Sequence, residues 1–178
     1  FEPIVEAVPQ DELIKEVHEL EESYLMVQRG KYRVFAAKSE RIPKVLKEIG
    51  RLREVTFRAA GEGTGKSIDI DKYDPYYTQL FLWNDESNHI VGAYRLGHTH
   101  EILEEYGPQG LYSSSLFKIK NKHWDALRTG LEMGRSFIRE EEQKAPMCLP
   151  LLWQGICQYL LRNPSYYGLY GCVSICSE

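Results

Sequence analysis

The chain has 178 residues, of which 43% are hydrophobic and 27% charged, as is typical of one soluble globular domain with its own core. Its net charge of −4 at pH 7 argues against general nucleic-acid binding, because such binding needs a dense basic face. No apolar run approaches the roughly 18 residues of a membrane span, and no signal peptide opens the chain. We therefore expect a cytoplasmic protein. Peripheral contact with the inner membrane, and a further acyltransferase domain before Phe1, stay open.

Apolar periodicity predicts the order of helices and strands. The elements are a helix at 11–28, a strand at 32–37, a helix at 42–60, a hairpin of strands at 77–83 and 89–97, a strand at 129–138, a helix at 147–162 and a strand at 166–175. A hairpin that leads into a strand, helix, strand unit favours a mixed, twisted α/β sheet over a doubly wound parallel one. We expect one α/β domain over residues 1–178, with a last strand that is either an exposed sheet edge or exchanged with a second chain.

Two patterns that could bind a metal ion are weak. His98-Thr-His100 lacks a third ligand nearby, so we interpret both histidines as solvated loop residues. The acidic run at 69–74 lacks the glycine and the closing glutamate of a calcium loop. The four cysteines form no C-x-x-C pair and are interpreted as ordinary reduced thiols: Cys148, Cys157, Cys172 and Cys176. We predict no metal site.

Charged residues interrupt elements that should be buried. Glu132 and Arg135 lie in the apolar strand at 129–138, where strict alternation places them on opposite faces. A bulge at Gly134 would shift this alternation and let the two side chains converge on one site. Arg95 is a similar intruder in the strand at 89–97.

Arg53 raises the same question in the helix at 42–60. It lies on the inner face with Ile49 and Phe57, so it either needs carboxylate partners or extends to solvent at the helix edge. The carboxylates at 69–74 suit the first alternative. Six charged residues, three of each sign, are therefore predicted to line one cleft: Arg53, Asp71, Asp74, Arg95, Glu132 and Arg135.

Two segments between these elements are predicted to lie near the cleft. Gly61-Glu-Gly-Thr-Gly-Lys-Ser67 is one residue short of a phosphate loop and follows a helix instead of opening one, so we predict a mobile loop on the substrate side. Residues 106–128 mix polar and apolar pieces and could form a flap. The serines at 113–115 lack the context of a nucleophile elbow.

Four short motifs together carry a resemblance to known proteins. They are Arg53-x3-Phe57, Asp71-Lys-Tyr-Asp74, Gly92-Ala-Tyr-Arg95-Leu96 and Glu132-x2-Arg135. In this order and local spacing the chain resembles the acyl-homoserine-lactone synthases. It resembles more closely the ornithine-lipid and glycine-lipid N-acyltransferases of the GNAT superfamily, which often carry the label hemolysin. Further stretches extend the resemblance over residues 32–175: Leu80-Phe-Leu-Trp83, Leu131-Glu-Met-Gly-Arg-Ser-Phe137, Leu152-Trp-Gln-Gly155 and Gly171-Cys-Val-Ser-Ile175.

The resemblance implies a mostly antiparallel GNAT-like sheet whose strand at 129–138 is splayed to admit a pantetheine arm. It also implies transfer of a long fatty acyl group from acyl carrier protein to the α-amine of an amino acid. The donor is then a phosphopantetheine thioester, and no cofactor is bound. The implied catalytic residues are Glu132, Arg53, Asp71 and Asp74. The implied substrate-binding residues are Phe57, Arg95, Arg135, Ser136 and Trp83.

The chain departs from the family pattern at two places. The aromatic residue that lactone synthases carry six positions after their Phe is Gly63 here, which disfavours a lactone-forming substrate. In place of a glycine-rich pyrophosphate loop stands Arg139-Glu-Glu-Glu-Gln-Lys-Ala-Pro146, whose acidic residues would repel the diphosphate of CoA and favour acyl carrier protein. The basic residues expected to contact that acidic protein are Lys118, Lys120, Lys122 and Arg128.

Acyl transfer to an amine requires a base, because the amine must lose a proton before it attacks a thioester. Glu132 is the candidate base, and backbone N–H groups freed at the splay would hold the oxyanion. Arg95 or Arg135 would bind the acceptor carboxylate. Three alternatives stay open: the charges only tie elements together, the chain is an acetyl-CoA-dependent N-acetyltransferase, or it is a non-catalytic module of a larger acyltransferase.

Overall fold

The chain folds around a six-stranded sheet, seen in a computed structural model that describes residues 1–173. The strands lie in chain order across the sheet, and every neighbouring pair is antiparallel except the last, which is parallel. They are β1 (Leu25–Arg29), β2 (Tyr32–Lys38), β3 (Thr78–Asn84), β4 (His89–His98), β5 (Gly130–Ile138) and β6 (Gly168–Gly171). The prediction of a mixed, mostly antiparallel α/β sheet is confirmed.

Within residues 1–173, six α-helices accompany the sheet. They are α1 (Gln10–His18), α2 (Pro43–Ala59), α3 (Thr99–Glu105), α4 (Ser113–Leu116), α5 (Trp124–Arg128) and α6 (Cys148–Arg162). The predicted helices at 42–60 and 147–162 correspond to α2 and α6. The predicted strand at 166–175 corresponds to β6, and its last two residues lie outside the described part.

The predicted helix at 11–28 is wrong in its second half. The helix ends at His18, and the residues from Leu25 onward form β1 instead. Leu20, Tyr24 and Leu25 still pack on the core, as their helical spacing suggested. Because pairing with β2 gives Val27 and Gln28 backbone partners that a helix end would lack, the strand is the more favourable arrangement.

The sheet is covered on both faces, which explains why β3 is buried along its whole length. Phe81 and Trp83 point to the face covered by α1 and α2, and Leu80 and Leu82 point to the face covered by α6. Helix α6 sits close to β2, since a Cβ on Gly155 would lie only 2.4 Å from Cγ1 of Val34.

Candidate active site

A buried ion network begins on α2. The Arg53 side chain is fully buried, donates to Asp74 Oδ1 at 2.8 Å and donates to Gln79 Oε1 at 2.7 Å. The alternative in which Arg53 extends to solvent is therefore wrong. Burial opposes ionisation of Asp74, but Arg53 and Arg95 outweigh it and hold the Asp74 pKa below its usual range. Asp74 is thus a carboxylate shared by two arginines.

Arg95 extends this network from β4, and carboxylates and aromatic rings enclose its side chain. Its guanidinium lies 2.7 Å from Asp71 Oδ1 and 3.2 Å from Asp74 Oδ2, and its side chain is 1% exposed. Three tyrosine rings surround it, with centroids 5.0–5.7 Å from its central carbon: Tyr73, Tyr77 and Tyr112. Arg95 therefore has little free surface for a ligand.

β5 carries a bulge at the position where the network reaches it. Ala93 faces Phe137 and Arg95 faces Gly134, so the two residues Arg135 and Ser136 lie opposite a single residue of β4. Arg135 has φ of 51°, in the left-handed region that side chains rarely adopt. A strained backbone conformation persists only where the surrounding contacts fix it, and such conformations are common at functional sites.

The bulge lets Arg135 join the acidic residues. Its guanidinium lies 3.3 Å from Asp69 Oδ2 and 3.6 Å from Asp71 Oδ2, over the ring of Tyr112. Asp69 was not among the predicted site residues. Burial raises the Asp69 pKa, and the positive charges of Arg135 and Arg53 only partly offset this effect. Unlike Arg95, Arg135 keeps about a fifth of its side chain exposed.

Glu132 lies three residues before Arg135 on β5 and is 2% exposed. It accepts hydrogen bonds from the Tyr77 hydroxyl, the Tyr112 N–H at 3.0 Å and the Ser113 N–H at 2.6 Å. Its carboxylate thus ties the start of α4 to the sheet and lies beneath Tyr112. Burial and the nearby negative charge of Glu132 both raise the Tyr77 pKa, so this hydroxyl stays protonated and donates.

A cavity of about 510 Å³ opens beside the bulge. The β5–β6 pairing ends at Met133 and Gly171 among the described residues, and the cavity lies beyond that last pair. Its lining includes three of the predicted substrate-binding residues, Phe57, Arg135 and Ser136. The remaining lining residues are Glu62, Tyr112, Leu116, Met133, Gly134, Cys172 and Val173.

The structure thus brings together most, but not all, of the predicted site. Arg53, Asp74, Arg95, Asp71 and Arg135 form one continuous chain of ion pairs. Glu132 joins them through the tyrosines instead of through a direct ion pair. Trp83 lies apart, fully buried in the core under α2. Trp83 is not among the residues that line the cavity, and its contact with the substrate stays a prediction.

The loop after α2 is held by a residue that the sequence analysis missed. The Glu54 side chain accepts hydrogen bonds from the backbone N–H groups of Thr64 and Gly65, at 3.0 Å each, and from Arg58. Burial opposes its ionisation, but these donors outweigh burial and lower the Glu54 pKa. The loop at 61–67 is therefore anchored to α2 along its middle.

The acidic segment after β5 borders a second cavity, of about 450 Å³, between that segment and α2. Arg51 and Arg139 lie in its wall. Two of the three glutamates have cationic or histidine partners: Glu141 lies 3.1 Å from Arg139, and Glu142 lies 3.0 Å from His89. Two of these three carboxylates are therefore engaged by side chains of the protein itself.

The interpretation of His98 as a solvated residue is wrong. Its ring is 7% exposed, lies 2.6 Å from the Tyr159 hydroxyl and lies 2.8 Å from Glu101. His100 is exposed. Within the described part of the chain, no group of three His, Cys, Asp or Glu side chains could hold a metal ion.

Burial lowers the His98 pKa, and its bond to Glu101 only partly opposes that shift. A depressed pKa means that the unfolded chain binds a proton at a higher pH than the folded one does. The free energy of unfolding should therefore fall as the pH drops below about 6.5, by up to about 1.4 kcal/mol per pH unit. Urea unfolding between pH 5 and 8 measures this slope. His98→Gln should flatten it, whereas His100→Gln should leave it; an equal slope in all three proteins would contradict the assignment.

Comparisons with known proteins place this arrangement in a family. The resemblance to acyltransferases implied a mixed sheet with a distorted strand beside a cleft, and the structure has a bulged strand beside a cavity. The family model described as acetyltransferase (GNAT) domain matches residues 52–154, more than half of the chain, so the chain belongs to the GNAT family.

Two curated relatives are glycine N(alpha)-acyltransferases. That of Bacteroides thetaiotaomicron is 34% identical over 98% of this chain and 55% of its own length. That of Phocaeicola vulgatus is 39% identical over 72% of this chain and 43% of its own length. The chain thus spans about half the length of these relatives.

A solved structure, of a CoA-dependent acyl-homoserine lactone synthase, is similar at 20% identity with a TM-score of 0.45, over 75% of this chain and 65% of that one. Among residues 1–173, no helix combines the length and apolarity needed to cross a membrane.

Proposed function

We propose that this chain is the N-acyltransferase unit of a glycine-lipid type enzyme, which moves a long fatty acyl group from acyl carrier protein to the α-amine of glycine. The observation that carries the proposal is Arg135, held at a left-handed bulge position and facing a cavity between β5 and β6. The names of the curated relatives support glycine as the acceptor. Transfer from acyl carrier protein follows from the resemblance in the sequence motifs.

The acceptor is bound by Arg135 in this proposal. Glycine presents a carboxylate, and a guanidinium binds a carboxylate through two parallel hydrogen bonds. Arg95 is enclosed by two carboxylates and three rings, whereas Arg135 remains partly exposed in the cavity wall. Asp69 and Asp71 beside it favour the ammonium group of the incoming amino acid.

The acyl donor enters where β6 leaves β5. Backbone groups of a strand alternate between its two neighbours, so the N–H groups of β5 that face β6 lose their partners beyond Met133 among the described residues. The Thr129 carbonyl accepts from the N–H groups of Tyr167 and Gly168, so the same alternation directs the Arg135 N–H toward the β6 side, where it is suited to hold the thioester oxyanion. The apolar side chains of Phe57 and Leu116 line the same cavity and suit a hydrocarbon chain.

Glu132 remains the candidate base, reached through water or after Tyr112 moves. Its three hydrogen bonds also make it a positioning residue for the 112–113 backbone. We expect Glu132→Gln to lower kcat at least about a hundredfold. Tyr77→Phe, which removes one donor to the same carboxylate, should cost less. Unchanged turnover in a folded Glu132→Gln protein would rule out the base role.

The donor and the acceptor are tested directly by incubating the purified chain with acyl carrier protein or CoA thioesters and with glycine or ornithine. We expect mass spectrometry to detect N-acylglycine from the carrier-protein thioester. CoA alone should not raise the Tm. A CoA-dependent Tm rise with acetyl transfer would instead assign the chain as an acetyl-CoA-dependent N-acetyltransferase that uses the arginine-lined second cavity.

A further inference from the structure

We propose that residues 116–123, here called the interfacial segment, dock the protein on an anionic lipid bilayer. The segment begins at the last residue of α4 and connects the cavity wall to α5. Its first two residues expose large apolar side chains, Leu116 at 55% and Phe117 at 60%. Lys118, Lys120 and Lys122 follow at alternate positions, and all three are exposed.

The charge of the segment opposes that of the whole protein. The net charge of the chain is −4, yet the sequence from Tyr106 to Trp124 contains no Asp or Glu. None of the three lysines forms an ion pair with any residue of the described 1–173 range. An anionic bilayer would therefore repel most of the surface and attract this segment, which fixes one orientation.

The combination of apolar and basic side chains favours a bilayer over an acidic protein partner. Interfacial segments insert apolar residues below the headgroups while Lys side chains contact anionic lipids. Leu116 and Phe117 provide the apolar side chains for insertion, and the three lysines provide the contacts with anionic lipids.

The segment borders the cavity, so docking would place the cavity next to the bilayer. The role of docking in product release rests on the proposed function. Leu116 lines the cavity in which the acyl chain would lie, and the preceding Tyr112 and Ser113 are tied to Glu132. A long-chain product that leaves the cavity past Leu116 would pass directly into the bilayer instead of through water. Tyr112, whose ring lies under the Arg135 guanidinium, is only four residues before Leu116 in the chain.

Vesicle sedimentation tests the proposal. We expect the purified chain to bind vesicles of phosphatidylglycerol and phosphatidylethanolamine in equal parts, more weakly as salt rises, and not to bind phosphatidylcholine alone. Joint replacement of the three lysines, K118Q/K120Q/K122Q, should weaken binding about a hundredfold. Phe117→Ser should weaken it about tenfold and leave vesicle-free turnover unchanged.

Matched control variants make the same kinds of substitution outside the interfacial segment. K15Q/K47Q/K144Q removes three other exposed lysines, and Leu161→Ser removes a leucine that is 73% exposed on α6. Both should bind vesicles as the unmodified chain does. Equal losses in the controls, or no vesicle binding by the unmodified chain, would overturn the proposal.

The same variants separate a bilayer from acyl carrier protein. A raised KM for the carrier-protein thioester in K118Q/K120Q/K122Q, with vesicle binding intact, would assign the segment to that protein and overturn the bilayer proposal. Vesicle binding is read without substrate. Loss of glycine acylation in every assay, with vesicle binding as expected, would therefore reject the proposed function and still support the docking surface.

Discussion

Replacing Arg53 by Met should lower the free energy of unfolding by about 3–5 kcal/mol, because the change leaves a buried carboxylate without its main partner. Arg53 and Asp74 are both 0% exposed, so water cannot take the place of the missing guanidinium. For a domain of this size the loss corresponds to a Tm decrease of roughly 10 °C. Chemical denaturation with urea measures the change directly.

A partly exposed ion pair provides the control for this prediction. Arg33 and Asp85 pair at the sheet end with side chains 19% and 34% exposed, so Arg33→Met should cost no more than about 1 kcal/mol. Adding Asp74→Asn to Arg53→Met should recover part of the loss, since it removes the unpaired charge. Equal costs for Arg53→Met and Arg33→Met would show that burial does not set the strength of this network.

Replacing Arg135 by Gln should reduce kcat/KM for glycine by about a hundredfold, through loss of the charged, two-point contact with the acceptor carboxylate. Most of the effect should appear in KM for glycine, with KM for the acyl donor unchanged, because only the acceptor meets this side chain. Arg135→Lys should recover only part of the activity, since an ammonium group lacks the planar fork. Steady-state kinetics with each substrate varied in turn provide the measurement.

Arg139 is the matched control for Arg135. It follows β5 directly, but it lines the second cavity and is paired with Glu141. Arg139→Gln should therefore leave KM for glycine unchanged. If Arg139→Gln raised that KM and Arg135→Gln did not, the acceptor would lie in the second cavity.

The charged residues of the site could be predicted because they stand out against their surroundings. Arg53 on an apolar helix face and Arg95 in an apolar strand both required partners, and the acidic run before β3 supplies them. Gly134 suggested the bulge, and the bulge lies at the next two residues. Burial of a charge is costly, so a charge in a buried element carries information about its neighbours.

Other features leave no comparable signal in the sequence. The apolar residues before Tyr32 are spaced as in a helix, and only pairing with β2 makes the last of them a strand. Tyr77 and Tyr112 bind Glu132 and surround Arg95, yet tyrosines are common in any core. From the sequence, Glu54 resembles any solvated helix residue. Only the structure shows that the loop at 61–67 folds over it and donates to its carboxylate.

A crystal structure with N-acylglycine bound tests the central claim, that the cavity beside the bulge is where the acyl group meets the amino acid. We expect the product carboxylate within hydrogen-bonding distance of the Arg135 guanidinium, the amide next to Gly134, and the acyl chain along Phe57 and Leu116. Product bound between Arg51 and Arg139, with the cavity beside β5 empty, would contradict it.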